Sequence, residues 1–285
     1  MADRQSSARP LRVALTGAAG SLAGDVIPGL LARGHQLVCI DQRLPADDLG
    51  CRWVRCRVND RAALAEALAG CDAVVHLAGI PLEDEWEPLL MANIDGTQAV
   101  LETARTLGIG KVVLASSIHA AGFVPVPPPG EQVPDDVRVR PNTFYGVSKA
   151  ALEALGSLYH DRHGLDVVCL RIASRTDRPR DDRMLSTWLS PADAVRLLDA
   201  ALSPDVTGFR TVWGVSRNTR SYLSAAGGAA MGFHPEDDAE PYAAEVLAAI
   251  GVRPSEQDWN QRYIGGVFCS PEPPRQQPAP ATAEE

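Results

Sequence analysis

Residues 11–41 read LRVALTGAAGSLAGDVIPGLLARGHQLVCID. Leu11 to Leu15 make a short apolar strand. The run Thr16-Gly17-Ala18-Ala19-Gly20-Ser21-Leu22-Ala23-Gly24 follows at once, an amphipathic helix continues to Arg33, and Gly34 is a helix-stop signal. His35 to Ile40 make a second strand that ends in Asp41. Strand, glycine-rich turn, helix, strand and acid in one unit point to a dinucleotide site. The glycines let backbone approach a pyrophosphate, and the helix N-terminus supplies N–H donors and a partial positive charge. Gly17, Gly20, Ser21 and Leu22 are the residues expected there. Asp41 is placed to accept hydrogen bonds from ribose hydroxyls, and its charge repels a 2′-phosphate, so NAD is favoured over NADP. Arg43 lies close behind and is the one feature that suits NADP. Ala23 stands where a third glycine is usual, with Gly24 beside it.

Outward from this unit the alternation continues. Trp53 to Val58 read as a third strand, with Arg57 and Val58 at its end. A helix from Arg61 to Ala69 follows, capped by Asn59-Asp60. Asp72 to Leu77 form the fourth strand, and Leu77, Ala78 and Gly79 allow backbone to approach the cofactor. His76 reads as a packed histidine. Glu83 to Glu87 read as a solvated acidic patch. Pro88 to Leu107 form a long helix in which Asn93 and Gly96 suggest close packing against the helix carrying Tyr145, or a water relay. Lys111 to Ala115 form the fifth strand, running into Ser116 and Ser117, where a doubly wound sheet places its ligands. A proline-rich loop, Gly122 to Pro141, covers that end. Asp166 to Ile172, a helix from Pro191 to about Leu202, a strand Phe209 to Gly214 and a short helix Ala243 to Ile250 complete the pattern. The expected class is α/β, a doubly wound parallel sheet with a small C-terminal substrate-binding lobe. Residues 11–172 would be the nucleotide-binding domain, and 173–269 the lobe, interleaved with the last strand. Residues 1–10 and 270–285 are expected to be disordered.

Composition narrows the function. The chain has 285 residues, 45% hydrophobic, with formal charge −9. It carries no basic stripe, so nucleic acid is not an expected partner. No apolar run reaches the roughly twenty residues of a membrane span, and Met1 to Pro10 lack the apolar core of a secretory signal. The six cysteines have no metal-site spacing. Free thiols, a cytoplasmic setting, no metal and a small-molecule substrate are therefore expected.

The chemistry is expected at Asn142-Thr143-Phe144-Tyr145-Gly146-Val147-Ser148-Lys149. Tyr145 and Lys149 are four apart, on one helix face. A neighbouring cation favours the phenolate, which would suit Tyr145 to acid/base work near neutral pH.

These motifs together resemble the extended short-chain dehydrogenase/reductase family, the NAD-dependent epimerase/dehydratase group with a Rossmann fold. The resemblance runs over about residues 11–268. It implies that Ser117 polarises the reacting oxygen, Tyr145 moves its proton, Lys149 lowers the tyrosine pKa and holds the nicotinamide ribose, and Asn93 supports a proton relay. Within the family the chain is similar to the uronate dehydrogenases, through Ser116-Ser117-Ile118-His119, Arg171-Ile172-Ala173-Ser174 and Arg183-Met184-Leu185-Ser186-Thr187-Trp188. Those enzymes oxidise a cyclic uronic acid to a lactone. The likeness implies that Arg183 grips an anion and that His119 and Ser174 contact hydroxyls; an ion pair of Arg183 with Asp181 or Asp182 is the alternative. Three positions depart from that pattern: Ile118 replaces an asparagine, Pro81 a hydroxyl residue, and Arg57 an adenine-contacting aspartate. Ile118 and Pro81 suggest a less hydroxylated substrate face. They motivate a second expectation, a ketoreductase acting on a sugar- or nucleoside-like intermediate. A sugar-nucleotide epimerase or dehydratase ranks third. The family also implies a homodimer through the helices carrying Tyr145 and Asn93.

Overall fold

A strand in a parallel sheet is covered on both faces, so it must be apolar at nearly every position. Val13-Ala14-Leu15, Val74-Val75, Val112-Val113-Leu114 and Val167-Val168-Cys169-Leu170 meet that condition, and all are fully buried. The computed structural model describes residues 10–251 and 257–275. The strands are β1 (Arg12–Thr16), β2 (Gln36–Asp41), β3 (Arg52–Arg55), β4 (Ala73–His76), β5 (Lys111–Ser117) and β6 (Asp166–Ile172). Two short strands, β7 (Ser174–Arg175) and β8 (Trp188–Leu189), pair with each other, and β9 (Phe209–Gly214) completes the large sheet. Its order is β3-β2-β1-β4-β5-β6-β9, all parallel. This is a Rossmann-like α/β fold. The chain winds outward in opposite directions from β1 and β4, which opens a crevice at their carboxyl ends.

Helices cover both faces. One core forms under α1 (Ser21–Ala32), the other under α2 (Arg61–Leu68). Next come α3 (Trp86–Leu89), a π-helical stretch Leu90–Asp95, and α4 (Gly96–Thr106). The long helix expected over Pro88–Leu107 is therefore interrupted at Asn93. Gly96 lies against Val58, not against the Tyr145 helix: a Cβ there would meet the Val58 side chain at 2.8 Å. Helix α5 (Phe144–His163) starts where the Thr143 hydroxyl accepts from Gly146 N–H and stops at Gly164, in the left-handed region. Then follow α6 (Met184–Thr187), α7 (Pro191–Leu202), which packs with α1 in the first core, and the short helices α8 (Ala226–Ala230), α9 (Ala243–Ile250) and α10 (Trp259–Arg262). The third strand is shorter than its sequence suggests: it ends at Arg55, leaving Arg57 and Val58 in the turn beyond. Of the two ends expected to be disordered, 1–9 and 276–285 lie outside the described residues. Pro10 and residues 270–275 lie inside. Arg275 bridges to Glu83 and pairs with Glu85 at 3.2 Å.

One buried network ties the proline-rich loop to the sheet. Arg171 on β6 donates to both carboxylate oxygens of Glu153 on α5, at 2.9 and 2.8 Å, and to the carbonyls of Asp135 and Val137. The Ser116 hydroxyl donates to the same carboxylate at 2.6 Å. Removing one partner of such a pair strands the other charge in a low-dielectric interior. Glu153→Gln is expected to cost about 3–5 kcal/mol, and Glu153→Leu combined with Arg171→Met less than the two single changes summed. Chemical denaturation of the parent and these four variants measures both.

Candidate active site

The cleft is built first from backbone. Gly17 follows β1 with φ +73°, and a Cβ on it would meet the Ala78 nitrogen at 2.6 Å and the Leu77 carbonyl carbon at 2.8 Å. Only glycine has both the dihedral freedom and the lack of bulk for this place. Two cavities, of about 460 and 390 Å³, open beside it. Both are lined by Gly17, Gly20, Leu77 and Gly79, so they form one continuous cleft. The larger one holds Asp41, Arg57, Val58 and Ala78; the smaller one begins at Ser21 and Leu22. The Asp41 carboxylate accepts from Ala19 N–H and Arg43 N–H, both at 3.0 Å, which fixes its negative charge at the end of β2. Arg43 also lines this end, exposed and reaching the Ala19 carbonyl. A backbone cradle at a helix N-terminus with an acid at the second strand fits NAD, the pyrophosphate at the cradle and the ribose at the acid.

Ser117, Tyr145 and Lys149 line the smaller cavity together. Lys149 Nζ lies 5.6 Å from the Tyr145 ring centroid and donates to the Ala115 carbonyl at 2.7 Å. The sequence reading expects the ammonium to pull the phenol pKa down. Here burial dominates instead. It pushes Tyr145 up to about 12, with hydrogen bonding from Ser117 working the other way. Burial also draws Lys149 down to about 8. His76 is held between the Thr16 and Thr97 hydroxyls, and burial, with the Lys149 charge, lowers it to about 3, as suits a packed neutral imidazole.

Asn93 is buried and fully engaged. Its oxygen accepts from Ile80 N–H at 2.7 Å, and its amide donates to the Ile80 carbonyl at 3.1 Å and the Ser148 hydroxyl at 2.9 Å. Ser148 in turn donates to the Tyr145 carbonyl. Asn93 thus joins the loop after β4 to the first turn of α5. It does not line the cleft. Glu83, expected to be solvated, is also buried, and its carboxylate accepts from Tyr145 N–H at 2.8 Å. An anion at a helix N-terminus is favourable, and this one holds the turn that carries the phenol.

Pro81, His119, Ser174 and Arg183 line the far end of the smaller cavity. Ile118 does not. Its side chain packs with Val124, Trp213 and Ile264 behind the cleft, so it presents no apolar face to a ligand. Arg183 is buried, donating from Nε to the Ile264 carbonyl at 2.8 Å and from Nη1 to Ser174 at 3.1 Å. Its Nη2 is buried without a partner among the described residues. Neither expected ion pair forms: Asp181 accepts from Met184 N–H, and Asp182 takes the amides of Asn260 and Gln261. Phe268 and Met184 also line this end. Phe268, like Glu83, escapes sequence reading: no local pattern marks a residue that arrives from the far end of the chain, against His119 at 4.3 Å between ring centroids.

Known proteins share this design. The model of the NAD dependent epimerase/dehydratase family matches residues 13–226. The uronate dehydrogenase of Agrobacterium fabrum is 36% identical over 90% of this chain and 96% of its own. A variant of uronate dehydrogenase from Agrobacterium tumefaciens, crystallised with NAD, superposes with a TM-score of 0.85 at 34% identity, covering 94% of this chain and all of that one. The glucuronic acid dehydrogenase of Chromohalobacter salexigens gives 0.85 at 32%, covering 92% and 97%. With the glycine cradle, the acid of the second strand and the Tyr145–Lys149 pair in one cleft, the chain belongs to the NAD-dependent epimerase/dehydratase family, as an oxidoreductase acting on CH–OH.

Proposed function

We propose that this enzyme oxidises the anomeric hydroxyl of a cyclic uronic acid to the lactone. The observation that carries this is Arg183: a buried guanidinium at the substrate end of the cleft with no carboxylate partner among the described residues. An uncompensated buried charge is costly, and a planar guanidinium binds a carboxylate in a bidentate manner. A uronate supplies that carboxylate. The relatives named for uronate and glucuronic acid oxidation support the choice.

NAD, held by the glycine cradle and Asp41, would supply the acceptor for the hydride lost from C1. The chain's own groups handle the rest. Ser117 donates to the anomeric oxygen, Tyr145 takes its proton, and the C1–O bond becomes a carbonyl. Lys149, charged below about pH 8, favours the phenolate in that range. Asn93 and Glu83 hold the turn on which Tyr145 sits. The ketoreductase reading loses one of its two motives, because Ile118 faces the core, while Pro81 still lines the cleft. The same proposal takes the enzyme as a cytoplasmic homodimer acting on a small molecule and not on nucleic acid. Six free thiols, Leu158 exposed on α5 and a net charge of −9 support it. Sedimentation at micromolar concentration tests the dimer.

A panel of uronates with NAD, followed at the NADH absorbance, tests the reaction; absence of turnover on every uronate would remove it. Tyr145→Phe is expected to lower kcat by about 10²–10⁴, and retention within about tenfold, roughly 1.4 kcal/mol, would take Tyr145 out of its role. The base must be deprotonated to act, and burial raises its pKa. kcat/KM for oxidation should therefore climb from pH 6 to pH 8, and a flat profile would count against a tyrosine base. Arg183→Met is expected to raise KM for a uronate by about tenfold or more while leaving KM for the neutral aldose unchanged. Equal losses on both would make Arg183 structural.

A further inference from the structure

Asp25 lies four residues after Ser21 on α1, so the two share one helix face. Ser21 lines the smaller cavity where that helix offers its N–H groups to a pyrophosphate. A carboxylate one turn behind repels such an anion unless its charge is met. Arg175 meets it. This residue arrives from β7, 150 positions later in the chain, and its Nη1 donates to Asp25 Oδ2. Both side chains are largely buried, and Arg175 lines the same cavity as Ser21 and Leu22. Its Nε and Nη2 make no hydrogen bond to protein among the described residues. The contrast is with Arg171, which turns two nitrogens onto the Glu153 carboxylate. Arg175 spends one nitrogen on its acid and keeps the rest of its fork at the cleft. Consecutive strand residues face opposite ways, and Ser174, beside it on β7, accepts instead from Arg183.

We propose that Arg175 is a cofactor-binding residue: its free N–H groups take the phosphate of NAD nearer the nicotinamide, and Asp25 holds the guanidinium in place to do so. The choice of phosphate follows from where Arg175 lies. It shares its cavity with Tyr145 and Lys149, whereas Asp41 lines the larger one. A guanidinium suits the task because its planar fork matches two phosphate oxygens at once. The N-terminus of α1 supplies only neutral donors; Arg175 adds a full charge from a stretch of chain far outside the glycine-rich unit. The dinucleotide is thus held from two sides, by α1 and by β7. Because Ser174 and Arg175 are consecutive, a cofactor that fixes Arg175 also fixes the strand from which Ser174 orders Arg183. The proposal rests on NAD as the cofactor and does not depend on which substrate is oxidised.

Isothermal titration of the full chain with NAD, ADP-ribose and AMP, in the absence of substrate, tests it. ADP-ribose keeps both phosphates and lacks the nicotinamide; AMP keeps only the phosphate on the adenosine side. Arg175→Met is expected to raise Kd for NAD and for ADP-ribose about tenfold and to leave AMP within about twofold. Asp25→Asn removes the repelling charge and leaves the guanidinium, so Kd for ADP-ribose should stay level or fall. A mere tie between β7 and α1 cannot give that divergence, since either change breaks a tie alike. Equal weakening of ADP-ribose by the two variants overturns the proposal. So does an Arg175→Met protein that binds ADP-ribose as the parent does, or one that loses AMP to the same degree. Should Arg175→Met fail to fold, Arg175→Gln takes its place with the same expectations, and the Asp25→Asn arm also decides by itself: a Kd for ADP-ribose raised about tenfold removes the assignment. None of these titrations needs a turnover, so a chain that oxidises no uronate would fail the functional reading and leave them standing.

Discussion

The turn after β1 rests on the end of β4, with Gly17 pressed onto the backbone of Leu77 and Ala78. Every distance in the cleft is referred to that contact. It brings the N-terminus of α1 and the loop after β4 to one point, and it leaves no room for a side chain between them. From the same loop, Ile80 engages Asn93 and Glu83 holds the amide of Tyr145. The nucleotide cradle and the first turn of α5 are therefore fixed by one short segment, residues 77–83. A change in how β4 ends would move cofactor and phenol together and preserve their spacing.

Charge inside the cleft is arranged against the charge of the whole. The chain is net acidic, yet the two buried cations at its site, Lys149 and Arg183, have no carboxylate partner among the described residues. The buried Arg171, by contrast, is fully neutralised by Glu153. Burial disfavours the charged form of a lone amine, which is why Lys149 is drawn down to about 8. The Arg183 guanidinium is held instead by the Ile264 carbonyl and the Ser174 hydroxyl. The substrate end of the cleft is consequently positive, while at the ribose end Asp41 lies beside Arg43 and Arg57.

Much of this was legible in the sequence because parallel strands advertise themselves. A continuous apolar run such as Val112–Ala115 can be buried on both faces, and it leads into the polar Ser116 and Ser117 at the cleft. Gly17, Asp41, Ser117, Tyr145 and Lys149 carry their meaning in local order. Three things did not. The acidic run at 83–87 hides one buried carboxylate among solvated ones, because its burial depends on where α5 begins. Ile118 sits next to His119 in sequence, yet the short 3₁₀ turn at Ile118–Ala121 sends the two side chains to opposite sides of the wall. The tyrosine pKa went the other way from its expectation because spacing reveals a neighbouring charge and says nothing of how much water is lost.

The substrate end draws on the last segment of the chain as well as on the stretch that the family model matches. Residues 13–226 match the family model, yet Ile264, whose carbonyl holds Arg183, and Phe268, Gly265 and Cys269, which enclose His119 and Asn142, all lie beyond it. This last segment is attached at both ends of the wall, through Ile264 N–H to the Val124 carbonyl and through Arg275 to Glu83 and Glu85. It carries no part of the nucleotide cradle. The substrate end is therefore composite: Pro81, His119, Ser174 and Arg183 come from within the family match, and Phe268 from the segment beyond it.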